Sequence, residues 1–186
     1  MKNLIITLFA LVSVSAFAQK DTSGLKIPNS TGNIVYERVF ETSGKTRYQL
    51  FNDAQQWFIA RYKTFRYIEV TDSVNVRVIG KGKEIVNFVG PLNVSLPYVS
   101  RMTIQIDCKD GKFRSRISSI NLAPRDTSAS GNFVTTPEEL VDMLNGKSQI
   151  VGLNKNQARR LLESLNITID NTMVSIHKAL ADKNDF

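Results

Sequence analysis

The sequence predicts one α+β domain, in which antiparallel strands form a sheet that amphipathic helices cover. Segment 98–122 alternates apolar and polar residues with the period of two that half-buried strands require. Segments 45–64 and 154–181 instead carry apolar residues at three- and four-residue steps, which is the spacing of one helix face. Both kinds of element therefore have an apolar side to bury against a neighbour.

Residues 1–18 have the order of a secretory signal peptide. Lys2 supplies the positive start, an apolar run follows, and Ala16 and Ala18 form a small-x-small cleavage site. We predict cleavage between Ala18 and Gln19. The alternative of a retained anchor is disfavoured because the run is shorter than the about 20 apolar residues of a membrane span. The mature protein is expected in the periplasm or outside the cell, with residues 19–32 as a flexible leader.

Size and composition fit one packed domain. Cleavage of 18 of the 186 residues leaves 168. The chain has 24 basic and 17 acidic residues, a net charge of +7, and loss of Lys2 leaves +6. This excess is compatible with attraction to lipid headgroups, anionic glycans or nucleic acid, and equally with a surface that only keeps the protein soluble. Cys108 is the single cysteine, which excludes an internal disulfide and multi-cysteine metal chemistry.

Residues 33–41 predict the first strand, and 45–64 the first helix, with Ser43 as its cap. Arg38 falls on the same face of the strand as its aromatic residues, so the inward face stays open. The helix carries an aromatic stripe that begins at Tyr48. Such a stripe could line a ligand cleft, but it is more often part of a core, so we expect the helix to lie on the sheet.

A second strand pair is predicted around residues 66–79. The valines of 74–78 alternate with polar residues and should point inward, with Arg77 outward. Gly80 and Gly82 follow. They lack the Gly-Lys-Ser/Thr context of a phosphate loop, and we interpret them as bulge or strand-end glycines.

The clearest local signal is a β-hairpin. Asp110-Gly111 is a two-residue turn sequence, and strand partners around it then have numbers that sum to 221. This register pairs Asp107 with Arg114, Gln105 with Arg116, and Cys108 with Phe113. The hairpin is predicted to have a polar outward face, which includes an ion pair, and an apolar inward face.

Residues 123–135 are predicted to be a polar linker, and 136–182 a C-terminal helical segment. Thr136 and Glu139 have the spacing of a capping box with a proline between them at the first helical position. Asn154 and Gln157 repeat the capping relation at the start of the last helix.

Several motifs occur in a characteristic order: an Ile-Val-Tyr-Glu strand, Ala-Gln-Gln-Trp-Phe at 54–58, Val-Ile-Gly-Lys-Gly at 78–82, and Met-Thr-Ile-Gln-Ile leading to Lys-Asp-Gly-Lys-Phe-Arg at 109–114. As an ordered set they resemble a family of uncharacterised exported bacterial domains with a TATA-binding-protein-like (TBP-like) fold, over residues 33–122. The resemblance implies a curved antiparallel sheet backed by a helix. It implies no activity, and a shared fold does not transfer DNA binding.

No catalytic constellation is visible. His177 is the only histidine and has no acidic residue four positions before it, so we expect a structural or solvated role. Cys108 alternates with core residues, which predicts a buried and inert thiol. The carboxylates are scattered. We therefore assign no catalytic residue, metal ligand or cofactor, and do not expect an enzyme.

The function predicted from these observations is a non-enzymatic binding or interaction domain of the cell envelope that uses the open face of its sheet. The candidate binding residues are Arg77, Arg114, Arg116, Lys109 and Lys112. The expected partner is an anionic envelope component or another envelope protein, and nucleic acid is not favoured. The alternatives are a hydrolase-like enzyme with unidentified carboxylates and a structural component of an envelope assembly, which an apolar patch around Ile167 and Val174 would favour.

Overall fold

The computed structural model describes residues 32–90, 94–125 and 134–181. The predicted signal peptide, the leader before Gly32 and most of the predicted linker lie outside these ranges. Within them the predicted α+β class is confirmed. The elements, with a 3₁₀ turn at Phe65–Tyr67 before β2, are β1 (Tyr36–Glu41), α1 (Arg47–Tyr62), β2 (Ile68–Asp72), β3 (Arg77–Val89), β4 (Ser95–Lys109), β5 (Lys112–Pro124), α2 (Pro137–Leu144) and α3 (Lys155–Ala181).

The five strands form one sheet in the order β1-β5-β4-β3-β2, and every neighbouring pair is antiparallel. The hairpin of β4 and β5 has the predicted register. Asp107 lies opposite Arg114, and Cys108 lies opposite Phe113. A two-residue turn therefore set the pairing from Lys109–Lys112 to Thr103–Ser118, as the sum rule required, and the register shifts beyond Thr103.

The sheet has one covered and one open face. Helices α1 and α3 both pack on the same face, where alternate strand residues are buried. The opposite face carries exposed or half-exposed side chains along β3, β4 and β5. The fully buried strand residues of the covered face include Val78, Val86, Ile104, Ile106, Ile117 and Leu122.

Helix α1 begins one turn later than the predicted cap implies. Thr46 Oγ1 accepts a hydrogen bond from the Gln49 N–H at 3.3 Å, and Gln49 Oε1 accepts from the Thr46 N–H at 2.8 Å. This reciprocal capping box makes Thr46 the cap, so the prediction of Ser43 was wrong. Tyr48 is 51% exposed rather than part of the buried stripe, and the Arg47 guanidinium lies 5.0 Å from its ring.

Strand β3 also begins later than predicted, at Arg77. The Asp72 carboxylate accepts hydrogen bonds from the backbone N–H groups of Val74 at 3.1 Å and Asn75 at 2.9 Å, which folds residues 73–76 into a turn. Val74 is 86% exposed in this turn, so its predicted inward position was wrong.

The C-terminal helices belong to the same core as the sheet. The predicted capping pairs are both present, at Thr136 with Glu139 and at Asn154 with Gln157. No helix in the described ranges is long and apolar enough to cross a membrane. Every residue of the predicted α3 stripe is buried, namely Ala158, Leu161, Leu162, Leu165, Ile169, Met173, Ile176 and Leu180.

Two further contacts tie the C-terminal segment to the sheet. The backbones of Leu122, which precedes the predicted linker, and Thr135, its last residue, exchange two hydrogen bonds of 2.8 Å. Arg38 of β1 forms a 2.7 Å ion pair with Asp170 of α3. Arg38 can therefore share a face of β1 with the buried Tyr36, because Asp170 of α3 supplies its counter-charge.

Candidate functional site

A cavity of about 360 Å³ opens on the uncovered face at the β4–β5 turn. Three adjacent strands supply its central charged groups, because Arg77 of β3 lies opposite Asp107 of β4, which in turn lies opposite Arg114 of β5. Lys109 and Lys112 come from either side of the turn. We call this cavity the hairpin pocket. It is also lined by Val39, Asn75, Cys108 and Phe113.

Asp107 is the centre of the charge network in the hairpin pocket. Its Oδ2 accepts hydrogen bonds from Arg114 Nη2 at 2.9 Å and Nε at 3.1 Å, and its Oδ1 accepts from Arg77 Nε. Gln105 donates a further hydrogen bond, at 2.9 Å to Oδ2. One carboxylate therefore orients two guanidinium groups from neighbouring strands.

These contacts keep Asp107 ionised. Partial burial by itself would raise the pKa of the carboxyl group, but the hydrogen bonds from Arg77, Gln105 and Arg114 outweigh it and hold the pKa below its ordinary value. The stabilisation from this carboxylate is therefore present at neutral pH and is lost only as the pH falls through the depressed pKa of the folded state.

The backbone beside the pocket is strained. Val76 has φ of +53°, a conformation that a β-branched residue rarely adopts and that costs about 1–3 kcal/mol. Its buried side chain and a 2.9 Å hydrogen bond from the Cys108 N–H to its carbonyl hold it in place. The residues on either side of Val76, Asn75 and Arg77, both line the hairpin pocket.

The two turn lysines form no ion pair with the described acidic residues, although Glu41 of β1 is the cross-strand partner of Lys112. Lys109 and Lys112 lie directly opposite each other and are exposed. Within the described ranges, no carboxylate oxygen comes within 4.0 Å of either ammonium group, in contrast to Arg77 and Arg114. Four basic side chains and one acidic side chain thus line the hairpin pocket.

Arg116 lies outside the hairpin pocket, one pleat further along β5. Its Nε is 4.0 Å from Glu37 of β1, whose carboxylate is also 3.9 Å from Arg114. Arg116 lines a separate recess of about 540 Å³, together with Glu138 of α2. Four of the five predicted binding residues therefore lie around one cavity, and the fifth does not.

Cys108 lines the hairpin pocket but is only 4% exposed. Burial, with smaller contributions from Asp107 and Asp53, raises the pKa of its thiol to about 12. Its predicted burial is confirmed, and the raised pKa gives a reason to expect slow chemistry, because the thiolate is the reactive form.

We expect a maleimide to label native Cys108 at pH 8 at least about 100 times more slowly than the unfolded chain. In the folded protein the thiol is not ionised at this pH, and the reagent cannot reach it. As the only cysteine, it is the only thiol that such a measurement reports. Labelling as fast as in denaturant would contradict the burial.

The other chemistry-bearing residues do not converge on the pocket. His177 stacks on Phe40 with ring centroids 4.6 Å apart, which is a packing contact on the covered side of the sheet. Among the residues that the structure describes, no group of three or more histidine, cysteine or acidic side chains could hold a metal ion.

A second group of basic residues on the open face was missed by the sequence interpretation. Lys81 and Lys83 of β3 and Arg101 of β4 lie further along the strands, away from the turn. The alternation of β4 already indicates that Arg101 shares a face with Asp107. Its neighbours on β3 follow only from the β3–β4 register, which no local turn signal in the sequence specifies.

The fold defines the class of this protein, an open antiparallel sheet with helices on one face, which is the TBP-like arrangement. Residues 36–123 match the model of the family described as "Domain of unknown function (DUF4468) with TBP-like fold". These residues therefore form a domain of that family, as the ordered motifs implied.

Solved structures show the same fold. A DUF4468 family protein from Bacteroides ovatus ATCC 8483 is 16% identical, with a TM-score of 0.66 over 89% of this chain and 95% of that one. A TBP-like protein from Parabacteroides distasonis ATCC 8503 is 14% identical, with a TM-score of 0.66 over 84% of this chain and 98% of that one. A comparison with curated proteins found no match. At these identities the similarity establishes the fold alone.

Proposed function

We propose that the protein is a non-enzymatic binding domain that holds an anionic component of the cell envelope in the hairpin pocket. The observation that carries the proposal is the charge of this cavity, in which four basic side chains face a single carboxylate. Asp107 fixes the guanidinium groups of Arg77 and Arg114, so that part of the site is preorganised for a ligand. Export by the predicted signal peptide would place the pocket among envelope ligands.

The two alternatives have less support. A hydrolase would need convergent carboxylates, whereas Asp107 is the one acid among the described residues that line the hairpin pocket, and two arginines hold it. The other alternative, a structural component of an envelope assembly, would be favoured by an exposed apolar patch on α3. Ile167 and Val174 are 62% and 53% exposed, but the exposed Asn171 lies between them on the helix surface, so they do not form a continuous patch.

The test removes the unneutralised charge and leaves the Asp107 network intact. We expect the double variant Lys109→Gln/Lys112→Gln to bind heparin, used as an anionic glycan probe, about tenfold more weakly than the parent at low salt. Retention of the parent should fall as salt is raised, because these contacts are screened. The measurement is the elution position on heparin-agarose over a KCl series, with melting temperatures recorded for both proteins.

The matched control is Lys155→Gln/Lys178→Gln, which removes the same charge from exposed positions on α3, away from the open sheet face. This variant should elute close to the parent. If both double variants lose the same retention, the interaction reports net charge alone and the hairpin pocket is not the site.

A further inference from the structure

The open face carries a second pair of like charges that form no ion pair with any described acidic residue. Lys83 and Arg101 are direct cross-strand partners, and both are exposed. Their Cβ atoms are therefore about 5 Å apart, a distance at which like charges destabilise a sheet. Across the described ranges, no carboxylate oxygen lies within 4.0 Å of either side chain. The contrast with Arg77 and Arg114, which share Asp107, indicates that this charge is available to a ligand.

The pair borders a cavity of about 480 Å³, which we call the mid-sheet pocket. Asn121 of β5 is the cross-strand neighbour of Arg101, and Ser119 lies two residues before it. Both line the pocket, so β3, β4 and β5 bring an ammonium, a guanidinium, an amide and a hydroxyl group to one concave surface.

Backbone strain occurs at this pocket as well. The β4–β5 register shifts between Arg101 and Thr103, and Ser119, at φ of +52°, is the extra residue of the resulting bulge. Bulges redirect side chains, and a non-glycine residue at positive φ costs about 1–3 kcal/mol. Without this shift, Asn121 would not lie opposite Arg101.

The charge of the pair selects the chemistry of the ligand. Lys83 and Arg101 together carry two positive charges, and none of the described residues that line the mid-sheet pocket is acidic. A phosphate monoester carries about −1.5 to −2 at neutral pH and presents three acceptor oxygens, which matches two charged donors better than a single carboxylate does. Guanidinium binds such oxygens through its fork and ammonium binds them as a point charge. Lys81 is less available, because Thr103 Oγ1 lies 3.0 Å and Glu69 3.5 Å from its ammonium group.

We propose that Lys83, Arg101, Asn121 and Ser119 form a binding site for a phosphate monoester group. The site is separate from the hairpin pocket, because Arg101 and Asp107 are six residues apart along β4, about 20 Å. It therefore does not depend on the proposed function of that pocket. The same group occurs as free phosphate and as a lipid headgroup, and the two arms of the test distinguish these sources.

In the first arm, inorganic phosphate is titrated into the ¹⁵N-labelled protein at pH 8 and constant ionic strength, with chloride as the reference anion. We expect saturable shifts of the backbone amides of residues 83, 101 and 121 and a higher melting temperature in phosphate than in chloride. In the second arm, the protein is sedimented with phosphatidylcholine vesicles that contain phosphatidic acid, and with vesicles that lack it.

Two variants test the assignment. Lys83→Gln/Arg101→Gln should weaken binding at least about tenfold in whichever arm the parent binds, because both charge-assisted contacts are lost. Asn121→Asp should do the same with a minimal change of shape, since it places a competing carboxylate beside Arg101. Lys155→Gln/Lys178→Gln, which removes the same charge from exposed positions on α3, is the control and should bind as the parent does.

Saturable binding of phosphate that both site variants lose supports the proposal. Binding of phosphatidic acid vesicles alone, again lost in both variants, supports it with a lipid headgroup as the source. Shifts that do not saturate, together with no preference for phosphatidic acid vesicles, would overturn it. So would site variants that bind like the parent.

Discussion

Replacement of Leu162 by alanine is expected to lower the free energy of unfolding by about 3 kcal/mol. Leu162 is fully buried in α3, where it belongs to the same apolar core as the strands and α1. Removal of its branched side chain loses buried apolar area and leaves a cavity that the surrounding sheet and helices fill only in part. Denaturation in urea, followed by circular dichroism, measures this loss.

Ile167→Ala is the matched control for this prediction. Ile167 lies on the same helix but is exposed, so its truncation should change the free energy of unfolding by no more than about 0.5 kcal/mol. Equal losses in the two variants would show that the face of α3 is assigned wrongly. A large effect at Leu162 alone would show that the folding unit extends well beyond residues 36–123, which the family model matches.

The second large effect is expected at Gly80. An alanine Cβ at this position would lie 2.5 Å from the Tyr67 carbonyl oxygen and 2.6 Å from the Phe58 ring. Neither atom can move freely, because one belongs to the backbone and the other to a fully buried ring. We expect Gly80→Ala to lower the free energy of unfolding by about 3 kcal/mol through overpacking between β3 and α1.

Gly82→Ala provides a comparison on the same strand and the same face. The atoms that its Cβ would meet are Ile104 Cδ1 at 2.7 Å, Tyr62 Oη at 2.9 Å and Met102 Cγ at 3.0 Å, all in side chains, which yield more easily than the backbone carbonyl beside Gly80. Its cost should be about 1 kcal/mol, partly offset because alanine loses less backbone entropy than glycine. Urea denaturation of both variants decides the order, and a larger loss at Gly82 than at Gly80 would contradict the packing account.

The glycines also show where the sequence interpretation failed. They are predicted to be bulge or strand-end glycines, yet both lie inside β3. The Tyr67 carbonyl and Phe58 of α1 leave no room for a Cβ at Gly80, and side chains of β4 and α1 crowd Gly82. The neighbouring bulge is on β2, where the register shifts between Ile68 and Val70. A glycine indicates only that a side chain is excluded at that position, and the atoms that exclude it belong to elements more than ten residues away in the sequence.

The candidate site, too, was predicted only in part. Strand alternation placed Arg114 and Asp107 on one face, and the turn paired them, because a two-residue loop specifies register locally. The second arginine on Asp107 could not be predicted. Arg77 is 30 residues away and reaches Asp107 only through the β3–β4 register.

The elements with local signals could be predicted from the amino-acid sequence alone: the β4–β5 hairpin with its register near the turn, the capping boxes at Thr136 and Asn154, and the buried stripe of α3. Which basic residues share a cavity and which form ion pairs follows from the three-dimensional fold, in which Arg116 lies apart from the predicted group and Lys83 with Arg101 forms another. The difference lies in the range of the interactions. Turns, caps and amphipathic faces depend on residues within a few positions of one another, whereas a pocket depends on the pairing of strands that the chain brings together from far apart.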